Sequence, residues 1–127
     1  MTLSPRTEEI AREIVDSAFL GHSTLGPGLL ESVYEECLAH ELSERRLSFE
    51  RQLVLPMNYR NHKIHSGLRL DFLVKDQIVL EIKAVDTLAT VHTSQLLTYL
   101  KLSGCRLGFL INFNVSLIKN GIHRYVL

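Results

Sequence analysis

The sequence has no apolar run approaching the roughly 20 residues that a membrane-spanning helix needs, so a transmembrane segment is not expected. Its first residues carry no basic start followed by an apolar stretch, which argues against a secretory leader. Cysteine is scarce. Cys37 and Cys105 are far apart and form neither a CxxC pair nor a disulfide framework, as expected of a reducing cytoplasm. Net charge is absent too, with 14 Lys/Arg against 14 Asp/Glu. There is no internal repeat, no linker and no low-complexity tract.

The charge balance hides an asymmetry. Residues 1–50 hold 4 Lys/Arg and 10 Asp/Glu, and residues 51–127 hold 10 and 4. A basic half can meet a polyanion even in a neutral chain, although two halves of one domain can also compensate each other. Leu, Val, Ile and Phe make up about 35% of the 127 residues, enough to bury a core. That length suits a single domain over 1–127.

Hydrophobic periodicity divides the chain. Ser4-Pro5 is a helix start, and Ile10, Ile14, Val15, Ala18 and Phe19 continue it towards Gly21-His22. Leu25-Gly26-Pro27-Gly28 breaks the pattern. A second helix follows through about Arg46, with Leu29, Leu30, Val33, Tyr34, Cys37, Leu38 and Leu42 on its apolar face. From Phe49 the period shortens to that of strands, first to the Asn61-His62 turn, then over Ile64–Val74 and Ile78–Ala84. Thr90–Ser103 reads as a third helix stopped by Gly104. Leu107–Phe113 reads as a buried strand, and Asn120-Gly121 as the turn of a terminal hairpin.

The anomaly is Glu81-Ile82-Lys83 within an apolar strand. Alternation puts Glu81 and Lys83 on one face. Charges on a central strand are costly to bury unless paired or metal-bound. Asp71 occupies a similar setting on the preceding strand, and a short turn brings the two strands together. Two carboxylates and a lysine so placed suit a hard divalent cation, Mg²⁺ or Mn²⁺, next to a phosphate. The plainer reading is a Glu–Lys pair on a solvated face with Asp71 at a strand end. His62 and His65 lack structural-zinc spacing, and Gly26-Pro27-Gly28 lacks the lysine and preceding strand of a phosphate loop. Gln95 and Tyr99 stand at i, i+4, and His92 lies one turn earlier, so one helix face can present all three.

Five blocks carry a resemblance: Gly28-Leu29-Leu30-Glu31-Ser32-Val33-Tyr34, Arg69-Leu70-Asp71-Phe72-Leu73-Val74, Leu80-Glu81-Ile82-Lys83-Ala84, His92–Lys101 and Gly108–Phe113. In that order they resemble the GxxExxY proteins, a branch of the PD-(D/E)xK nuclease superfamily, over about residues 28–114. Leu70 stands where the superfamily name has Pro. The resemblance implies an α/β, restriction-endonuclease-like core of order αβββαβ, a mixed sheet flanked by helices, here with an extra N-terminal helix and a C-terminal hairpin. It implies Glu31, Asp71 and Glu81 as ligands of Mg²⁺ or Mn²⁺, Lys83 as the catalytic lysine, and Gln95 and Tyr99 as the QxxxY element of the RecB-like and lambda-exonuclease-like branch. Hydrolysis of nucleic acid, DNA rather than RNA, is the implied activity. Arg69, His92 and Lys101 are candidate nucleic-acid contacts, and Arg51, Arg60, Lys63 and Arg106 add to the basic half. A homodimer would serve double-strand cleavage. The competing function is a nucleic-acid- or protein-binding module that keeps the site only as scaffold.

Overall fold

A computed structural model describes residues 2–127. Helix α1 (Pro5–Leu25) starts where Ser4 accepts a hydrogen bond from the Thr7 N–H at 3.1 Å. It runs past Gly21-His22, where the sequence pattern fades, because tertiary contacts carry it on. Gly21 lies against the Cys37 sulfur, and the His22 Nε2 meets the Val115 carbonyl at 2.7 Å. Gly26, at φ 71°, ends it. Helix α2 (Glu31–Glu44) is shorter than its apolar pattern, because residues 26–30 form the turn before it.

Strands β1 (Phe49–Tyr59) and β2 (His62–Val74) form a long antiparallel hairpin. Arg60 and Asn61, at φ 47° and 68°, supply the left-handed pair that such a tight turn requires. Lys75 and Asp76, at φ 53° and 56°, do the same between β2 and β3 (Ile78–Lys83). Helix α3 (Thr90–Ser103) ends at Gly104 as expected, with φ 76°. It crosses to β4 (Leu107–Asn112), which pairs parallel with β3. The order is β1-β2-β3-β4-β5, with β3–β4 parallel and the β1–β2, β2–β3 and β4–β5 pairs antiparallel.

The terminal hairpin around Asn120-Gly121 does not form. Ile118–Asn120 is a short 3₁₀ turn, and β5 (Ile122–Val126) pairs back onto β4. The preceding run is drawn instead to the α1 side, where Val115 meets His22 and Ile118 joins the core. Gly121 sits directly on the Asn112 carbonyl, where any Cβ would collide.

Two apolar layers sandwich the sheet. Ile10, Ile14, Leu38 and Leu42 pack on Phe72, Leu80, Ile82 and Phe109. Leu96 and Leu100 of α3 pack on Leu68, Leu70, Val79 and Leu110. Residues two apart on a strand normally share a face. Phe72 and Val74 obey this on the α1–α2 side, yet Leu70 and Leu68 lie on the α3 side. On β1, Phe49 lies on the α1–α2 side, and Arg51 sits over the Phe72 ring at 5.9 Å, whereas Leu53 and Leu55 lie on the α3 side. The ribbon therefore turns over between Arg51 and Leu53 and, opposite, between Leu70 and Phe72. Gln52, at φ 48°, is the backbone irregularity at which this happens. Asp71 faces it across the pair.

Candidate functional site

Strands β2 and β3 pair from Val74/Ile78 to Phe72/Leu80, and regular pairing stops there. At the next step two carboxylates replace the backbone partners. The Asp71 N–H donates to Glu81 Oε2 at 2.9 Å, and the Ile82 N–H donates to Asp71 Oδ2 at 2.8 Å. Each acid thus spends one oxygen on the opposite strand. Gln52 Nε2 reaches Asp71 Oδ1 at 3.3 Å and Glu35 Oε1 at 2.7 Å. Glu35 is also bound by Arg51 at 2.7 Å, and Arg51 reaches Glu36 at 2.8 Å. This chain of contacts ties α2 to the base of the hairpin. It also takes Arg51 out of the set of cations free to meet a phosphate.

Three more elements converge on this point. Glu31 is the first residue of α2, and its place is fixed by the loop before it. The Tyr34 hydroxyl donates to the Gly26 carbonyl at 2.6 Å and accepts from the Leu29 N–H at 3.1 Å, while its ring stacks on Phe113 at 4.7 Å. The tyrosine of the glycine–acid–tyrosine motif is a fully buried latch that aims the acid. Lys83 shares with Glu81 the α3-facing side of β3. There a cavity of about 580 Å³ is lined by Lys83, His92, Gln95, Thr98 and Tyr99, among others. Gln95 donates to the Tyr99 hydroxyl at 2.9 Å. His92 accepts the Ala89 N–H through Nδ1, which leaves Nε2 for a ligand. Buried Asn112 bridges the N–H and C=O of Val85 at 3.1 and 2.9 Å, holding the segment that leads from β3 to α3.

Charge follows geometry. Glu81 is 4% exposed. Burial, reinforced by the neighbouring Asp71 charge, pushes its carboxyl up to about 8. Asp71 is raised chiefly by desolvation, with its bond from Ile82 opposing. Glu31 is open to solvent overall, but partial desolvation still raises it, with Asp71 and Glu35 adding to the effect and Lys83 and His92 opposing it. Tyr99 is raised by desolvation and then by the Glu81 charge. The site holds more negative charge than its lysine offsets.

A family model for PD-(D/E)XK nucleases matches residues 8–125. The chain belongs to the PD-(D/E)XK nuclease superfamily. The solved crystal structure of SSO0001 is similar in fold, with a TM-score of 0.52 and 22% identity. The match covers 94% of this chain and 58% of that one, so the present chain spans a little over half of that protein's length. No curated protein matches significantly.

Members of the PD-(D/E)XK superfamily generally use divalent metal ions. Among the described residues, no three His, Cys, Asp or Glu side chains form a ready-made metal group. The chemistry of the donors nevertheless suits a hard cation. Asp71, Glu81 and Glu31 are oxygen donors whose carboxyls are raised first by burial and further by neighbouring carboxylates. A cation there would return Glu81 to its ionised form.

Sequence reasoning located Glu31, Asp71, Glu81, Lys83, His92, Gln95 and Tyr99, and all seven lie around the splayed β2–β3 end. Arg69 is exposed on β2, near enough to lower the Tyr99 hydroxyl. Lys101 is exposed and does not line the cavity. By spacing Glu35 shares a helix face with Glu31 and Tyr34, but nothing in the sequence marks Gln52 or the bond that ties it to Glu35. A glutamine at a polar position of an alternating strand carries no mark of a left-handed backbone, and Glu35 is one of several acids on α2. Among the described residues no helix is long and apolar enough to cross a membrane.

Proposed function

We propose that this chain is a divalent-metal-dependent nuclease that hydrolyses phosphodiester bonds of DNA. The carrying observation is the exchange of Asp71 and Glu81 across the end of the β2–β3 pair, with Lys83 on the same face of β3 and Glu31 aimed at it by Tyr34. In this reading Glu31, Asp71 and Glu81 hold Mg²⁺ or Mn²⁺, which when bound supplies Lewis-acid stabilisation of charge building on the phosphate. Lys83 Nζ orients the attacking water and donates towards that same charge. Gln95 and Tyr99, hydrogen-bonded to each other, line the cavity where the phosphate and its sugar would lie, and His92 Nε2 is free to contact a phosphate oxygen. Water adds to phosphorus, the bond to the leaving oxygen breaks, and that oxygen ends with the proton. The Gly28, Glu31 and Tyr34 spacing supports a place in the GxxExxY branch. The two free cysteines suit a cytoplasmic setting, and cutting both strands would call for a homodimer.

One observation favours a second reading, a binding module that retains the site as scaffold. Each central carboxylate is already hydrogen-bonded to backbone, and among the described residues no three-ligand group is ready-made. Calorimetric titration of Mn²⁺ into the wild type and Asp71→Asn separates the two. The nuclease reading expects binding that the substitution abolishes. No specific binding by the wild type, with no hydrolysis of any DNA offered with Mg²⁺ or Mn²⁺, supports the scaffold.

A further inference from the structure

The β1–β2 hairpin outruns the sheet. β3 accompanies β2 only from Val74 to Phe72, whereas β1 stays with β2 as far as Tyr59/His62. Beyond the turnover at Gln52 and Asp71 the two strands form an arm. Its inner face, with Leu53, Leu55, Leu68 and Leu70, packs towards α3. Val54 pairs with Arg69 opposite that inner face and, past a register shift between Leu55 and Met57, Asn58 pairs with Lys63; all four are exposed. Arg60 and Asn61 form its tip.

This arm is cationic and uncompensated. From Gln52 to Leu70 there is no Asp or Glu. Arg60, Lys63 and Arg69 make no ion pair among the described residues, whereas Arg6, Arg51 and Arg124 are each paired with a glutamate. Three exposed cations held unpaired on one ribbon repel each other, and a row of phosphates relieves that repulsion. A two-stranded ribbon fits the B-DNA major groove, about 12 Å wide, and not the deep, narrow major groove of A-form RNA. The arm's root is Asp71, so a duplex gripped along it lies beside the carboxylates. Lys63 lies opposite Asn58, six β1 positions beyond Gln52, about 20 Å at about 3.3 Å per residue.

We propose that the β1–β2 arm seats in the major groove of double-stranded DNA, with Arg60, Lys63 and Arg69 against its phosphates, and so delivers the duplex to the site at its base. This substrate class rests on the nuclease reading above.

The test is binding without chemistry. A labelled DNA duplex, the matching single strand and the matching RNA duplex are titrated with the full chain in EDTA, by fluorescence anisotropy, across 50–200 mM salt. The wild type binds duplex DNA most tightly. Arg60→Ala/Lys63→Ala, at exposed positions and checked for folding by circular dichroism, weakens duplex binding by about tenfold at low salt. It also flattens the log–log salt slope by about 1.8, two phosphate contacts' worth. Arg69→Ala flattens it by about 0.9. Unchanged slopes in both variants overturn the proposal, as does equal or tighter binding of single strands or duplex RNA, or no binding at all. Hydrolysis with Mg²⁺ or Mn²⁺ is scored separately. Cleavage by a chain whose arm variants bind normally sinks the arm alone, and arm-dependent binding without cleavage sinks the nuclease reading alone.

Discussion

Glu81→Gln removes a charge from a 4%-exposed position while keeping an oxygen that can still accept from the Asp71 N–H. Its effect on stability should depend on pH in a defined direction. A glutamate ordinarily titrates near 4.5, and this one is pushed to about 8 when folded. Below 4.5 the carboxyl is protonated in both states, and burial costs no charge. Between 4.5 and about 8 the folded chain holds a proton that the unfolded chain has released, so stability falls as pH rises. Each unit of pH in that window costs at most about 1.4 kcal/mol, giving a ceiling of about 5 kcal/mol above pH 8. Asp71 and Glu31, also raised, push the same way. Urea unfolding in EDTA at pH 5, 7 and 9 reads this directly. The wild type should lose several kcal/mol between pH 5 and 9, and Glu81→Gln should lose markedly less and be the more stable protein at pH 9. Mn²⁺ at a hundred times its Kd should return about 2.7 kcal/mol to the wild type and little to the variant. Two parallel pH profiles would refute the reasoning, because they would mean that the Glu81 carboxyl is not held protonated by its surroundings.

The other predictions concern single contacts. Lys83→Met should keep Mn²⁺ binding, since it removes a cation and no ligand, while hydrolysis falls by at least about 100-fold; retained cleavage removes Lys83 from the chemistry. Gln52→Gly should change stability by less than about 1 kcal/mol, because relief of the φ 48° backbone offsets the hydrogen bonds lost to Glu35 and Asp71. Gln52→Val should cost about 1–3 kcal/mol in the same urea assay, since a β-branched side chain resists that conformation. Gly121→Ala should destabilise by more than about 2 kcal/mol, because its Cβ is driven into the Asn112 carbonyl. A wild-type melting curve would show that β5 can pair with β4 by another path.

Periodicity and turn chemistry made most elements legible. The Ser4-Pro5 start, the Gly104 stop, the shift to strands at Phe49 and the buried run at Leu107 all hold, because each depends on neighbours along the chain. Elements that depend on distant partners were not legible. Helix α1 outlasts its pattern through Cys37 and Val115, and the run before Asn120 abandons a strand for the α1 side. The acids and the lysine were visible because charge in an apolar strand is costly without a purpose. Arg51 looked like a phosphate contact, and only the fold showed it spent on Glu35 and Glu36.

The sequence by itself determined which residues are candidates for the chemistry and in what order, because a charge between apolar neighbours and a fixed spacing survive without coordinates. The tertiary structure alone decided how they meet. Pairing ends at Phe72/Leu80, so Asp71 and Glu81 take over the missing backbone partners. The left-handed Gln52 turns the ribbon over beside them and sends the arm out, unpaired with β3. Both events depend on residues that meet across strands eight or more positions apart in the chain, a relation that no local pattern records.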